Sequence, residues 1–112
     1  MKSKIKLLFI CSRNKLRSPT AEEVWRKNPY YEVRSAGTSP NARHSVSPAD
    51  IRWANQIFVM EIKHKNRLIA EFTRIIENKP VHVLEIPDDY QYMDKDLVCE
   101  LERKVGAILE KL

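Results

Sequence analysis

Cys11 and Arg17 stand with five residues between them, and Ser18 and Pro19 follow at once, in the run "CSRNKLRSP". A cysteine thiolate is a strong nucleophile, and a guanidinium can grip two phosphate oxygens through paired, charge-assisted hydrogen bonds. The intervening backbone, Ser12, Arg13, Asn14, Lys15 and Leu16, is long enough to curl around an anion of phosphate size and surround it with N–H donors. Ser18 is a favoured N-cap and Pro19 a favoured first helical residue. A helix starting there would aim its unpaired N–H groups and positive dipole at the same spot and would favour the thiolate form of Cys11. Together these residues permit nucleophilic attack on phosphorus. A cysteine at a strand end is also commonly a small buried residue, so the reading rests on what surrounds it.

The surroundings are those of a ligand site in an open sheet. Lys4 to Ile10 is a near-continuous apolar run, which suits a central strand covered on both faces. A first helix is expected from Ser18 and Pro19 to about Lys27, stopped by Asn28 and Pro29. "YEVRSAG" reads as a second strand, closed by Gly37 and the turn-rich "TSPNARHSVSP". Ser47 and Pro48 repeat the cap signal before a short helix through Trp53, "QIFVM" is a third strand, and "EIKHKNRLIAEF" is a helix with Ile62, Leu68, Ile69 and Phe72 at helical spacing. "VHVLEI" is a fourth strand. From Lys95 to Leu112 an amphipathic helix places Leu97, Leu101, Val105, Ile108 and Leu109 on one face. Alternating strands and helices imply an α/β fold, a four-stranded parallel sheet with helices on both sides. Such sheets bind ligands at the carboxyl ends of their strands, where Cys11 lies.

Composition bounds the function. A chain of 112 residues with 43% hydrophobic content has room for one domain over residues 1–112. Its net charge of +5 and pI near 9.3 favour an anionic partner. The start "MKSKIKLLFIC" has the order of a secretion leader, but Leu7 to Ile10 is shorter than the roughly 7–15 apolar residues a leader needs. A cytoplasmic protein without a membrane partner is expected. Cys11 and Cys99 are expected to be reduced thiols, with Cys99 a core or surface residue of the last helix. His44, His64 and His82 lack metal-ligand spacing, so neither a metal nor a cofactor is expected, and His64 is expected to be a solvated residue of a charged helix face.

The chain resembles the low-molecular-weight protein tyrosine phosphatases, and especially a group of short bacterial proteins predicted to be such enzymes. The stretches that carry the resemblance are "LLFICSRNKLRSPTAEEVW", "RSAGT", "WANQIFVMEIKHKNRL" and "IPDDYQYMDKDL", which span most of the chain. It implies a three-layer α/β/α fold, Cys11 as the nucleophile that takes the phosphoryl group, and Arg17 as the holder of its oxygens. It implies that Ser18 donates to the Cys11 sulfur, that Asn14 orders the loop, and that Ser35 supports it. It also implies Asp88 as general acid and base, with Asp89 as the fallback, and Tyr90 and Tyr92 as walls for a phosphotyrosine ring. Phosphate or sulfate would bind in the loop, and the substrate would be a phosphorylated protein or a small phosphomonoester.

The chain departs from the family pattern at three places. Arg13 stands where the loop normally carries glycine, which is expected to cost backbone strain. Leu16 stands where a second cysteine is frequent, and Asn41 replaces a histidine in a segment, 36–47, that is shorter than in full-length relatives. Two other functions stay open: a phosphate- or nucleic-acid-binding module without turnover, and an arsenate reductase, which would need a cysteine relay for which this chain offers Cys99 alone.

Overall fold

A computed structural model describes residues 4–112. Four strands, β1 (Ile5–Cys11), β2 (Tyr31–Gly37), β3 (Gln56–Val59) and β4 (Val81–Val83), form one parallel sheet in the order β2-β1-β3-β4. The register sets Cys11 beside Gly37, and Ile10 beside Val59, so the carboxyl ends of the three longer strands meet at one edge. The connections are α1 (Arg17–Trp25), α2 (Pro48–Trp53) and α3 (Ile62–Glu71), and α4 (Lys95–Leu109) closes the chain.

Alternation along β1 divides the core. Leu7, Phe9 and Cys11 point to the layer of α1 and α4, where they meet Ala21, Leu97, Leu101 and Val105. Leu8 and Ile10 point to the opposite layer, with Ile51 of α2 and Leu68 of α3. A strand segment buried on both faces has no room for polar residues, which is why Leu7 to Cys11 of β1 is an uninterrupted apolar run, while Lys6 lies before the buried part. The three-layer α/β/α architecture expected from the sequence is present.

Several boundaries differ from the sequence expectation, each for a local reason. Helix α1 starts at Arg17 with Leu16 as its N-cap and no side-chain cap, so Ser18 lies inside the first turn. Its hydroxyl is engaged by Cys11 and Asn14 instead of the helix backbone. The helix ends at Trp25, two residues before Lys27. Ser47 does cap α2, accepting from Asp50 N, and Asp50 returns the bond in a capping box. In α3 the apolar spacing overstates the buried face: Leu68 is buried, but Ile62 and Ile69 are exposed, and buried His64 occupies the place of an apolar residue. The fourth strand stops at Val83 because Glu85 takes a left-handed φ of 55°. Leu84 and Ile86 nevertheless donate to the carbonyls of Val59 and Met60, which carries the segment alongside β3 toward Asp88.

Candidate active site

Cys11 is the last residue of β1, buried to 3% exposure, with its sulfur facing a cleft of about 430 Å³ at the carboxyl edge of the sheet. Ser12, Arg13, Lys15, Leu16 and Arg17 line the same cleft, and Asp88 closes it from the β4 side. The sequence between strand and helix has thus been folded around a space instead of extended across it.

The loop is held open by its carbonyls. Cys11 O accepts from Thr38 N at 2.9 Å, Ser12 O from Ser39 N at 2.9 Å, and Arg13 O from Arg43 N at 3.0 Å. Asn14 O accepts from Arg43 Nε at 3.0 Å, and Leu16 O accepts from the N–H and hydroxyl of Thr20. With the carbonyls tied to the outside, the loop's N–H groups are left for the inside, the arrangement an anion needs. The short 36–47 segment therefore buttresses the loop, and Asn41 is exposed on it. Gly37 is required at the join: a Cβ there would collide with Ser12 O and lie 2.6 Å from the Ala42 Cβ.

The left-handed residue of the loop is Asn14, at φ 57°, and Arg13 is not in that region. The strain expected at Arg13 is therefore absent: asparagine tolerates this conformation, and Arg13 only extends an exposed side chain at the mouth. Asn14 Nδ2 donates to Ser18 Oγ at 2.9 Å, and Ser18 Oγ lies 3.0 Å from Cys11 Sγ. A hydroxyl that accepts from Asn14 keeps its own proton to give, and the sulfur is nearer than its other acceptor, Ala36 O at 3.4 Å. Ser35 does not join this network. Its hydroxyl donates to Glu22 Oε1 of α1 at 2.5 Å, so any support it lends the loop passes through that helix.

Arg17 is buried to 2% exposure and fixed from behind. Its Nη1 donates to Glu61 Oε2 at 2.6 Å and to Ile86 O at 2.7 Å, which leaves the Nε and Nη2 edge for an anion. Asp88 Oδ1 lies 3.6 Å from Arg17 Nε, with the carboxylate side chain 64% exposed. Asp89 is exposed and does not line the cleft. Neither tyrosine lines it: Tyr90 packs against the α1/α4 core, and Tyr92 is 51% exposed. Met93, at φ 60°, donates its N–H to Thr20 Oγ1 at 3.0 Å, pinning the segment to α1 and drawing both rings from the expected wall.

Glu61 and His64, the latter expected to be solvated, belong to the site. Glu61 is the N-cap of α3 and the partner of Arg17; that pairing, first of all its hydrogen bond, holds the carboxyl below the usual carboxylate range. His64 is 1% exposed, with Nε2 2.9 Å from Ser12 Oγ and Nδ1 accepting from Glu61 N at 3.0 Å. Burial, reinforced by the Arg17 and Lys63 charges, lowers its pKa to about 4, so the ring is neutral at ordinary pH. The available signal was positional: β3 ends two residues before Glu61, on the edge that carries Cys11. Among the described residues no group of acidic, histidine or cysteine side chains is arranged to hold a metal ion. No helix among them is long and apolar enough to cross a membrane.

No family model matches the chain, and no curated protein matches its sequence. Solved structures do match in shape. The tyrosine phosphatase Wzb from Escherichia coli K30, in complex with phosphate, superposes with a TM-score of 0.79 at 21% identity, over 98% of this chain and 99% of that one. The YwlE arginine phosphatase from Geobacillus stearothermophilus gives 0.75 at 22% identity, over 96% and 92% of the two chains. A low-molecular-weight phosphotyrosine phosphatase from Vibrio cholerae O395 gives 0.76 at 20% identity, over 96% and 95%. From end to end of the described sheet and helices, this chain has the fold of the low-molecular-weight protein tyrosine phosphatases.

Proposed function

We propose that the protein is a cofactor-independent phosphomonoesterase that works through a phosphocysteine on Cys11, with phosphotyrosine in proteins as its foremost substrate class. The observation that carries this reading is the meeting, in one cleft, of Cys11, the edge of Arg17 that Glu61 and Ile86 do not hold, and the Asp88 carboxylate 3.6 Å from Nε on that edge. The sulfur attacks phosphorus in line, and Arg17 grips two equatorial oxygens. As the phosphorus–oxygen bond breaks, Asp88 gives its proton to the leaving phenolate. Asp88 then takes a proton from the water that attacks the phosphocysteine, and the sulfur leaves as a thiolate stabilised by the Ser18 hydroxyl.

The charge at the mouth narrows the substrate. Arg13 and Lys15 are exposed there and without an acidic partner among the described residues, unlike Arg26, Arg67 and Arg103, which pair with glutamates on their own helices or turns. A phosphoguanidinium would bring another cation toward them, whereas a phosphotyrosine in an acidic sequence would bring anions. This favours phosphotyrosine over phosphoarginine. A reductase relay is disfavoured because Cys11 is the one cysteine that lines the cleft; Cys99 is exposed on α4. The free thiols suit a reducing compartment, the cytoplasm.

The test is hydrolysis of para-nitrophenyl phosphate by wild type, Cys11→Ser, Arg17→Ala, Asp88→Ala and Asp89→Ala, followed by phosphotyrosyl and phosphoarginyl peptides. Cys11→Ser and Arg17→Ala should abolish turnover, and Asp88→Ala should lower it about 100-fold or more, the range of a lost general acid. Undiminished turnover by Cys11→Ser would refute the mechanism. A larger loss from Asp89→Ala than from Asp88→Ala would move the acid role, and a preference for the phosphoarginyl peptide would overturn the substrate class. RNA binding that survives Arg17→Ala, without turnover in wild type, would favour a binding module.

A further inference from the structure

We propose that Ser12 supplies a side-chain hydrogen bond to the phosphoryl group in the cleft, and that His64 is the positioning residue that aims the Ser12 proton there. The inference rests on the cleft being a phosphate site, as proposed above. Its logic is proton counting. Glu61 N is a backbone N–H and can only donate, so His64 Nδ1, 3.0 Å away, is the acceptor. A neutral imidazole carries one ring proton, which must then sit on Nε2. Nε2 lies 2.9 Å from Ser12 Oγ, so His64 donates and the hydroxyl accepts. The hydroxyl's own proton is left over. Ser12 Oγ has no other side-chain or backbone partner among the described residues, and Ser12 lines the cleft, so that proton has the cleft to point into.

The same device operates at the other end of the loop. Asn14 donates to the Ser18 hydroxyl, so the Ser18 proton turns to its acceptors, the Cys11 sulfur at 3.0 Å and the more distant Ala36 O at 3.4 Å. One buried donor thus directs a hydroxyl at the nucleophile, and a second directs a hydroxyl at the group the nucleophile attacks. Glu61 ties the second device to the arginine, since its carboxylate holds Arg17 while its N–H fixes the His64 tautomer.

The experiment titrates inorganic phosphate by calorimetry, beside turnover of para-nitrophenyl phosphate, on wild type, Ser12→Ala, Ser12→Thr, His64→Gln, His64→Phe and the Ser12→Ala, His64→Phe double variant, with Tm for each. Ser12→Ala should weaken phosphate binding and lower kcat/KM about tenfold, the usual cost of one hydrogen bond to a charged group. Ser12→Thr and His64→Gln, which keep the hydroxyl and a donor amide, should retain most of both. His64→Phe should lose as much as Ser12→Ala, and the double variant should be no worse than Ser12→Ala alone. The proposal is overturned if Ser12→Ala binds phosphate like wild type, or if His64→Phe costs the same with and without the serine hydroxyl. Should His64→Phe fail to fold, Ser12→Ala behaving like Ser12→Thr would overturn it. The predicted binding pattern in a protein that turns over no ester would refute the phosphatase reading and leave this one standing. Cys11-dependent turnover without the pattern would do the reverse.

Discussion

At the scale of single residues, the site is a set of groups each used once in each direction. Arg17 spends Nη1 on Glu61 and Ile86 and keeps its other edge for the anion. A buried guanidinium without that rear partner would be free to swing, and its charge would be poorly compensated. Glu61→Gln keeps the shape and removes the charge, so kcat/KM for para-nitrophenyl phosphate should fall about tenfold, the scale of a weakened charge-assisted bond. Steady-state kinetics at neutral pH checks this, and an unchanged value would mean that the phosphate alone orients Arg17. That Cys11 and Arg17 share one cleft was legible from their local spacing, and that Asp88 joins them from the resemblance alone. Glu61 and His64 were not, because a charged stretch of helix looks the same whether it faces water or the back of an arginine. His64 fills an apolar position of α3, and no periodicity distinguishes a buried histidine from a solvated one.

At the scale of elements, the cleft depends on how closely β2 approaches the loop that leaves β1. Gly37 sits opposite Cys11, and the Thr38, Ser39 and Arg43 N–H groups take the loop's carbonyls. Gly37→Ala should force the loop and the Ala42 turn apart, destabilise the fold by about 1–3 kcal/mol as an overpacked site does, and weaken phosphate binding. Denaturant unfolding and a phosphate titration check both halves, and a variant with wild-type stability and affinity would show that the join tolerates a methyl group. The order of elements was readable from alternation of apolar runs, and the cap at Ser47 from its residue types. The start of α1 was misplaced because Ser18 has cap chemistry but spends it on Cys11. The end of β4 was overextended because a left-handed glutamate at 85 leaves no mark in an apolar alternation. Tyr90 and Tyr92 were assigned to the cleft by family pattern, and the tie from Met93 to Thr20, which turns them elsewhere, is a contact between distant parts of the chain.

At the scale of the whole molecule, the site makes the protein sensitive to acid. His64 has a folded pKa of about 4 against an ordinary 6.5, so between these values the unfolded chain binds a proton that the folded one refuses. The His64 contribution to stability should therefore fall as pH drops from about 6.5 to about 4, by on the order of a few kcal/mol, and level off below. The groups that set this are Arg17 and Lys63, which oppose protonation with burial, and Glu61 and Asp88, which favour it. Glu61 adds to the same trend: its folded pKa is depressed, so its contribution is present above the ordinary carboxylate range and is lost as pH falls through the folded value. Urea unfolding across this range should show a steeper loss in wild type than in His64→Gln, and equal slopes would contradict the buried neutral ring. The central claim is the covalent intermediate, and it is tested most directly by acid-quenching Asp88→Ala during turnover of para-nitrophenyl phosphate and sequencing its peptides by mass spectrometry. That leaving group needs little protonation, whereas hydrolysis of the thiophosphate needs the missing base, so the intermediate should accumulate. One phosphoryl group on the Cys11 peptide is the predicted result. Turnover with that peptide unmodified, or with the phosphoryl group on another residue, would contradict it.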